Sequence, residues 1–130
     1  KAMNYLNEDT KDPRQNIGFF QVGIKKKLME PFQQLSKENV ECYNLERSSK
    51  EDERAYVQRV NKCLDTWQRH FEMVEEQTNK NLMKLRDKEA QHFSKLFHCS
   101  NAINEADMQS CRNQENERFA LELKSTYSEL

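Results

Sequence analysis

From residue 52 to residue 98, apolar positions recur in steps of three and four: Tyr56, Val60, Cys63, Trp67, Phe71, Val74, Thr78, Leu82, Leu85, Glu89, Phe93 and Leu96. Only Thr78 and Glu89 break the polarity of this stripe, and no Gly or Pro interrupts it. The mean step, about 3.64 residues, predicts one continuous amphipathic helix. Beyond the first step the pattern repeats every eleven residues, which suits a straight or slightly right-handed helix better than a left-handed coiled coil. At 1.5 Å per residue such a helix is roughly 70 Å long. It reads as a spine.

Shorter periodic segments flank it. Phe32, Leu35, Asn39, Cys42 and Leu45 define a helix from about Glu30 to Arg47, with Pro31 in the first turn, where its missing N–H is harmless. Ser48 to Asp52 reads as a turn, and Ser49 followed by Asp52 resembles a capping box. After a polar turn over residues 100–107, Cys111, Phe119, Leu123 and Tyr127 share a face of a third helix, from about Met108 to Tyr127. Residues 1–27 are different: they hold both glycines (Gly18, Gly23), Pro13 and the apolar patch from Ile17 to Ile24. The expectation is an extended N-terminal arm over 1–27, a short strand or a loop, followed by a single helical domain over 28–130. The fold class is all-α, a long central helix with an antiparallel helix at each end.

Four cysteines allow three pairings. Cys63 and Cys99 are separated by roughly 54 Å of continuous helix, far beyond the roughly 7 Å between Cα atoms that a disulfide tolerates. Cys42 with Cys63 and Cys99 with Cys111 are the natural staples, one for each helical hairpin. With those anchors Pro31 falls opposite Val74 and Tyr127 opposite Met83, so the two outer helices would lie end to end along the spine. Free thiols, packed as small buried hydrophobes, are the competing reading.

Composition narrows the class. Hydrophobic residues make up 35% and charged residues 33% of the 130-residue chain, and the mean hydropathy is −1.10. Ordinary domains carry roughly 45–50% apolar and about 25% charged residues, so a self-sufficient core is in doubt and burial against partners is expected. The net charge of −1 argues against nucleic acid or an anionic membrane as an electrostatic partner. No apolar run reaches the roughly 20 residues that span a bilayer. The chain starts at Lys1 with no signal-like stretch, which is compatible with a presequence already removed. Disulfides imply an oxidising compartment, and none of the asparagines lies in an Asn-x-Ser/Thr sequon. An oxidising space without N-glycosylation is the mitochondrial intermembrane space.

Helical hairpins with cysteines on facing helices, here Cys42 to Cys63 and Cys99 to Cys111, resemble intermembrane-space proteins of the coiled-coil-helix-coiled-coil-helix kind and the small Tim chaperones. Those families carry two cysteines per helix in CX9C or CX3C spacing. This chain has one, with Glu46, Trp67, Ile103 and Glu115 where CX3C partners would fall. The resemblance implies a helical accessory subunit or chaperone, with no catalytic residues to carry over.

The residues themselves offer little catalytic chemistry. His92, His98, Cys99 and Cys111 lack the spacing of a zinc site, there is no CxxC, and His98 and Cys99 diverge by about 100° as helical neighbours. Glu75-Glu76 and Glu115/Glu117 read as solvated faces, and no glycine-rich phosphate loop is present. We therefore expect no enzyme, metal, cofactor or small-molecule substrate. Tyr43, Val57, Leu64, Met73, Met83, Phe97, Ala120 and Leu121 lie beside the main stripes and widen the apolar face. Tyr43, Met73, Met83 and Phe97, with Phe19 and Phe20 on the arm, are the candidate partner-binding residues. The expected function is that of a non-enzymatic accessory subunit of a larger assembly, a mitochondrial inner-membrane complex on its intermembrane-space side, bridging neighbours through the long helix and the N-terminal arm; the chain itself is at most peripheral to the membrane. The alternatives are an intermembrane-space chaperone or transport factor, a cytoplasmic scaffold with free thiols, and a secreted four-helix signalling protein.

Overall fold

The structure, a computed structural model, describes residues 12–130. These form three α-helices and no strand: α1 Pro13–Tyr43, α2 Glu53–Cys99 and α3 Glu105–Glu129. Each start has a local cause. Asp12 accepts the Arg14 N–H at 3.0 Å ahead of Pro13, a favoured first-turn residue. The carboxylate of Asp52 accepts the Ala55 N–H at 2.7 Å, so Asp52 itself caps α2, and Ser49 does not. Asn104 accepts from the Asp107 N–H at 2.8 Å and starts α3 three residues before the expected Met108.

The first helix is the main departure from the sequence reading. Residues 13–27 of the expected arm are helical and continuous with the segment beyond Pro31; residues 1–11 of that arm lie outside the described residues. Ile17, Phe20, Ile24 and Leu28 recur at steps of three and four and are all buried. That burial outweighs the roughly 1 kcal/mol by which glycine disfavours a helix interior. Gly18 sits on the open side of the helix, with nothing within 4 Å of where a Cβ would stand. Pro31 is a mid-helix residue; its missing N–H deprives the Lys27 carbonyl of its usual helical partner.

The described residues fall into two compact units. Unit 1 contains residues 12–28 and 81–130. Its core is Ile17, Phe20, Ile24 and Leu28 from α1, Leu85 from α2, and Phe119, Ala120, Leu123 and Tyr127 from α3, with Phe19 and Leu82 packed against it. The rings of Phe20 and Tyr127 lie 5.9 Å apart, and the Lys27 ammonium sits 3.8 Å from the centre of the Tyr127 ring while donating to its carbonyl. Thus α3 packs beside the N-terminal half of α1. The end-to-end placement of outer helices presupposed that α1 began near residue 30. Gln21 to Glu89 and Lys88 to Thr126 add polar ties at the margin, and a disulfide joins Cys99 to Cys111.

Unit 2, Met29–Lys80, is thinner. It contains the C-terminal half of α1, the connection over residues 44–52 and the N-terminal half of α2. Cys42 and Cys63 form a disulfide with Cα atoms 5.6 Å apart. The Trp67 indole N–H donates to the Leu35 carbonyl at 2.6 Å, and Phe32, Phe71 and Trp67 form an aromatic row. The connection is pinned by Tyr56 donating to the Leu45 carbonyl and by Arg59 donating to Glu51 and the Glu46 carbonyl. Only Leu35, Cys42 and Thr78 are buried in this unit.

Burial along α2 also differs from the expected stripe. The buried positions are Thr78, Leu85, His92 and Cys99, a seven-residue spacing, whereas Phe93 is largely exposed.

Candidate interaction surfaces

Unit 1 presents an apolar strip on α2 that its own core does not use. Met83, Phe93 and Phe97 are 63%, 64% and 74% exposed. With the exposed Ala90 they fall within about 80° of the helix circumference at 100° per residue. Large aromatic side chains left in water this way are the usual anchors of protein interfaces. Ile103, in the turn that follows α2, is fully exposed.

The residues singled out from sequence separate into two groups. Tyr43, Met73, Met83 and Phe97 are exposed. Phe20 is not a free anchor: it is buried in the core of unit 1, and Phe19 packs against that core. Both belong to a helix whose apolar side faces inward, so the pair supports the fold. Leu64 is half-buried, Val57 and Leu121 are exposed, and Ala120 is a core residue. The four cysteines are consumed by the two disulfides, in the pairing expected of the two hairpins.

A second feature of unit 1 was not anticipated. His92 and Glu115 are both buried, with His92 Nδ1 2.6 Å from Glu115 Oε2. The imidazole stacks on Phe119 at 4.1 Å between ring centres. Arg118 closes the other side, donating to both oxygens of Glu115 at 2.6 and 2.9 Å and to Glu122. Burial alone would raise the Glu115 carboxyl; the hydrogen bonds from Arg118 and His92 outweigh it and hold the group below its ordinary value. Among the described residues no buried side-chain polar atom lacks a partner, and the contacts of His92, Glu115 and Arg118 make the cluster a clamp between α2 and α3 beside the Cys99–Cys111 bridge. His92, Cys99 and Cys111 are therefore committed to Glu115 and to each other.

The clamp carries a pH signature. A carboxyl with a depressed folded-state value contributes stability that is complete above its unfolded value, about 4.3, and is lost as pH falls through the folded value. Thermal unfolding followed downward from neutral pH should show a loss below about pH 4, shallower in Glu115→Gln than in the parent. Equal acid dependence in the two proteins would show that Glu115 is not responsible.

Unit 2 has a groove of its own, about 610 Å³, floored by the Cys42–Cys63 bridge, Leu45 and Trp67. Glu38 and Glu41 stand on its α1 side, and Arg59, Lys62 and His70 on its α2 side. His70 is 3.2 Å from Glu38. Among the described residues, no group of three or more metal-binding side chains converges, and no helix is long and apolar enough to cross a membrane. Comparison with known proteins gives no match: no family pattern, no curated sequence and no solved structure matches the chain.

Proposed function

We propose that this chain is a non-enzymatic structural subunit that binds neighbouring proteins in a larger assembly. The observation that carries the reading is the strip of Met83, Phe93 and Phe97, exposed on a chain with so little apolar content to spare. In this reading α2 acts as a central spine, the two disulfides staple a helical hairpin at each of its ends, and the exposed aromatics of α2 anchor the neighbours. The disulfides and the missing sequons favour an oxidising compartment, the mitochondrial intermembrane space, with the chain at most peripheral to the inner membrane.

The test is replacement in the native source. A Phe93→Asp/Phe97→Asp chain should keep both disulfides and its thermal transition, because neither side chain is buried. It should fail to enter the assembly, since charges in an interface core cost several kcal/mol. Native-gel separation reads the outcome. Incorporation of the double variant at parental level would rule out this strip as the attachment site.

A further inference from the structure

The groove of unit 2 has the form of a helix-binding site. We propose that it receives one amphipathic α-helix of a partner protein, an inference that rests on the subunit reading above and assigns that reading a second contact. In unit 1, α3 lays Phe119, Leu123 and Tyr127 against α1 and α2 and so completes a three-helix core. Unit 2 builds the same kind of two-helix layer from α1 and α2 and supplies no third helix among its described residues. Two helices in contact leave a groove on either face, and an apolar stripe at i, i+3, i+4 and i+7 is the shape that fills one.

The chemistry of the groove selects the occupant. The disulfide, Leu45 and the Trp67 ring give an apolar floor, and the one polar atom of Trp67 is already spent on the Leu35 carbonyl. The two rims are of opposite sign: Glu38 and Glu41 on α1, Lys62 and Arg59 on α2. Arg59 is engaged by Glu51 and Glu38 lies 3.2 Å from His70, leaving Lys62 and Glu41 as the charges of the two rims with no ion pair among the described residues. A helix with basic residues along one flank of its apolar stripe and acidic residues along the other fits in a single orientation. The volume, about 610 Å³, holds several large apolar side chains and is bounded by a rigid covalent floor.

Photo-crosslinking in the native assembly tests this directly. Thr66 lines the groove and is exposed, so a photoreactive phenylalanine derivative there samples the occupant. A second chain carries the same group at Ala90, between Met83 and Phe93 on the strip of unit 1. The expected product from Thr66 is an adduct to one segment of a different protein, with helical apolar spacing and opposite charges on its flanks. Glu41→Lys should lower its yield about tenfold, since like charges facing across an interface cost more than 1.4 kcal/mol. Adducts from Thr66 to this chain's own sequence would make the occupant a second copy, and adducts to lipid would make the groove a membrane contact; either overturns the proposal. No adduct at Thr66 with a protein adduct at Ala90 overturns the groove and leaves the subunit reading standing. No protein adduct at either position overturns both.

Discussion

Phe119→Ala is expected to destabilise unit 1 by about 3–5 kcal/mol, the usual cost of deleting a buried aromatic ring. Phe119 is 1% exposed and sits where the core meets the ionic clamp. One face of its ring stacks on His92, and its loss opens a cavity beside a buried carboxylate. The consequence is twofold: apolar contact is lost, and the imidazole that donates to Glu115 loses the surface that orients it. Chemical denaturation reads the change as a lower midpoint with an unchanged slope if the transition stays two-state. A loss below about 1 kcal/mol would mean that α3 is not held through this ring.

The second large effect concerns the other unit. Cys42→Ser/Cys63→Ser removes a cross-link that closes 21 residues of sequence, worth about 3 kcal/mol in chain entropy. Unit 2 has only Leu35, Cys42 and Thr78 buried, and isolated helical segments of this length are marginal in water. Its helical order is therefore expected to depend on the bridge. Hydrogen exchange should show amides of residues 33–43 and 56–67 losing protection in the double variant. Amides around Ile24, Leu85 and Leu123 should keep theirs, since unit 1 has its own core. Unchanged protection across unit 2 would show that the Trp67 and Phe71 contacts suffice without the disulfide.

The legible parts of this fold were those fixed by strict geometry. A helix free of Gly and Pro over almost fifty residues rules out Cys63 with Cys99, and of the two pairings left, the one that staples each hairpin formed. The N-terminal half of α1 was hidden for a physical reason. Ile17, Phe19, Phe20, Val22 and Ile24 crowd into eight residues, a run whose periodicity fits strand or helix, and two glycines weigh against helix. The deciding interaction was tertiary: burial of Ile17, Phe20, Ile24 and Leu28 against α3, a partner more than 75 residues away. Pro31 also weighs against a continuous helix in the sequence, because proline is at home in a first turn and costly inside a helix.

The ionic clamp was missed through the stripe itself. On α3 the apolar positions Cys111 and Phe119 are eight residues apart, and the midpoint between them is Glu115. A carboxylate at the centre of a core stripe requires a buried donor, and that requirement was the available signal. On α2 the eleven-residue period placed Phe93 inside and passed over His92. The helix instead turns a seven-residue spacing inward and leaves Phe93 in water. That same shift turned Phe93 from a core residue into part of the strip with Met83 and Phe97.

Chemical cross-linking of the assembly in its native source, read by mass spectrometry, bears most directly on whether this chain is a bound subunit. Lys84 follows Met83, and Lys95 lies between Phe93 and Phe97 in sequence, so both report on the neighbourhood of the strip. The account predicts reproducible links from Lys84 and Lys95 to fixed positions on one or two other proteins, with the chain migrating at the size of the assembly. Links confined to the chain itself, with migration as a monomer, would contradict it.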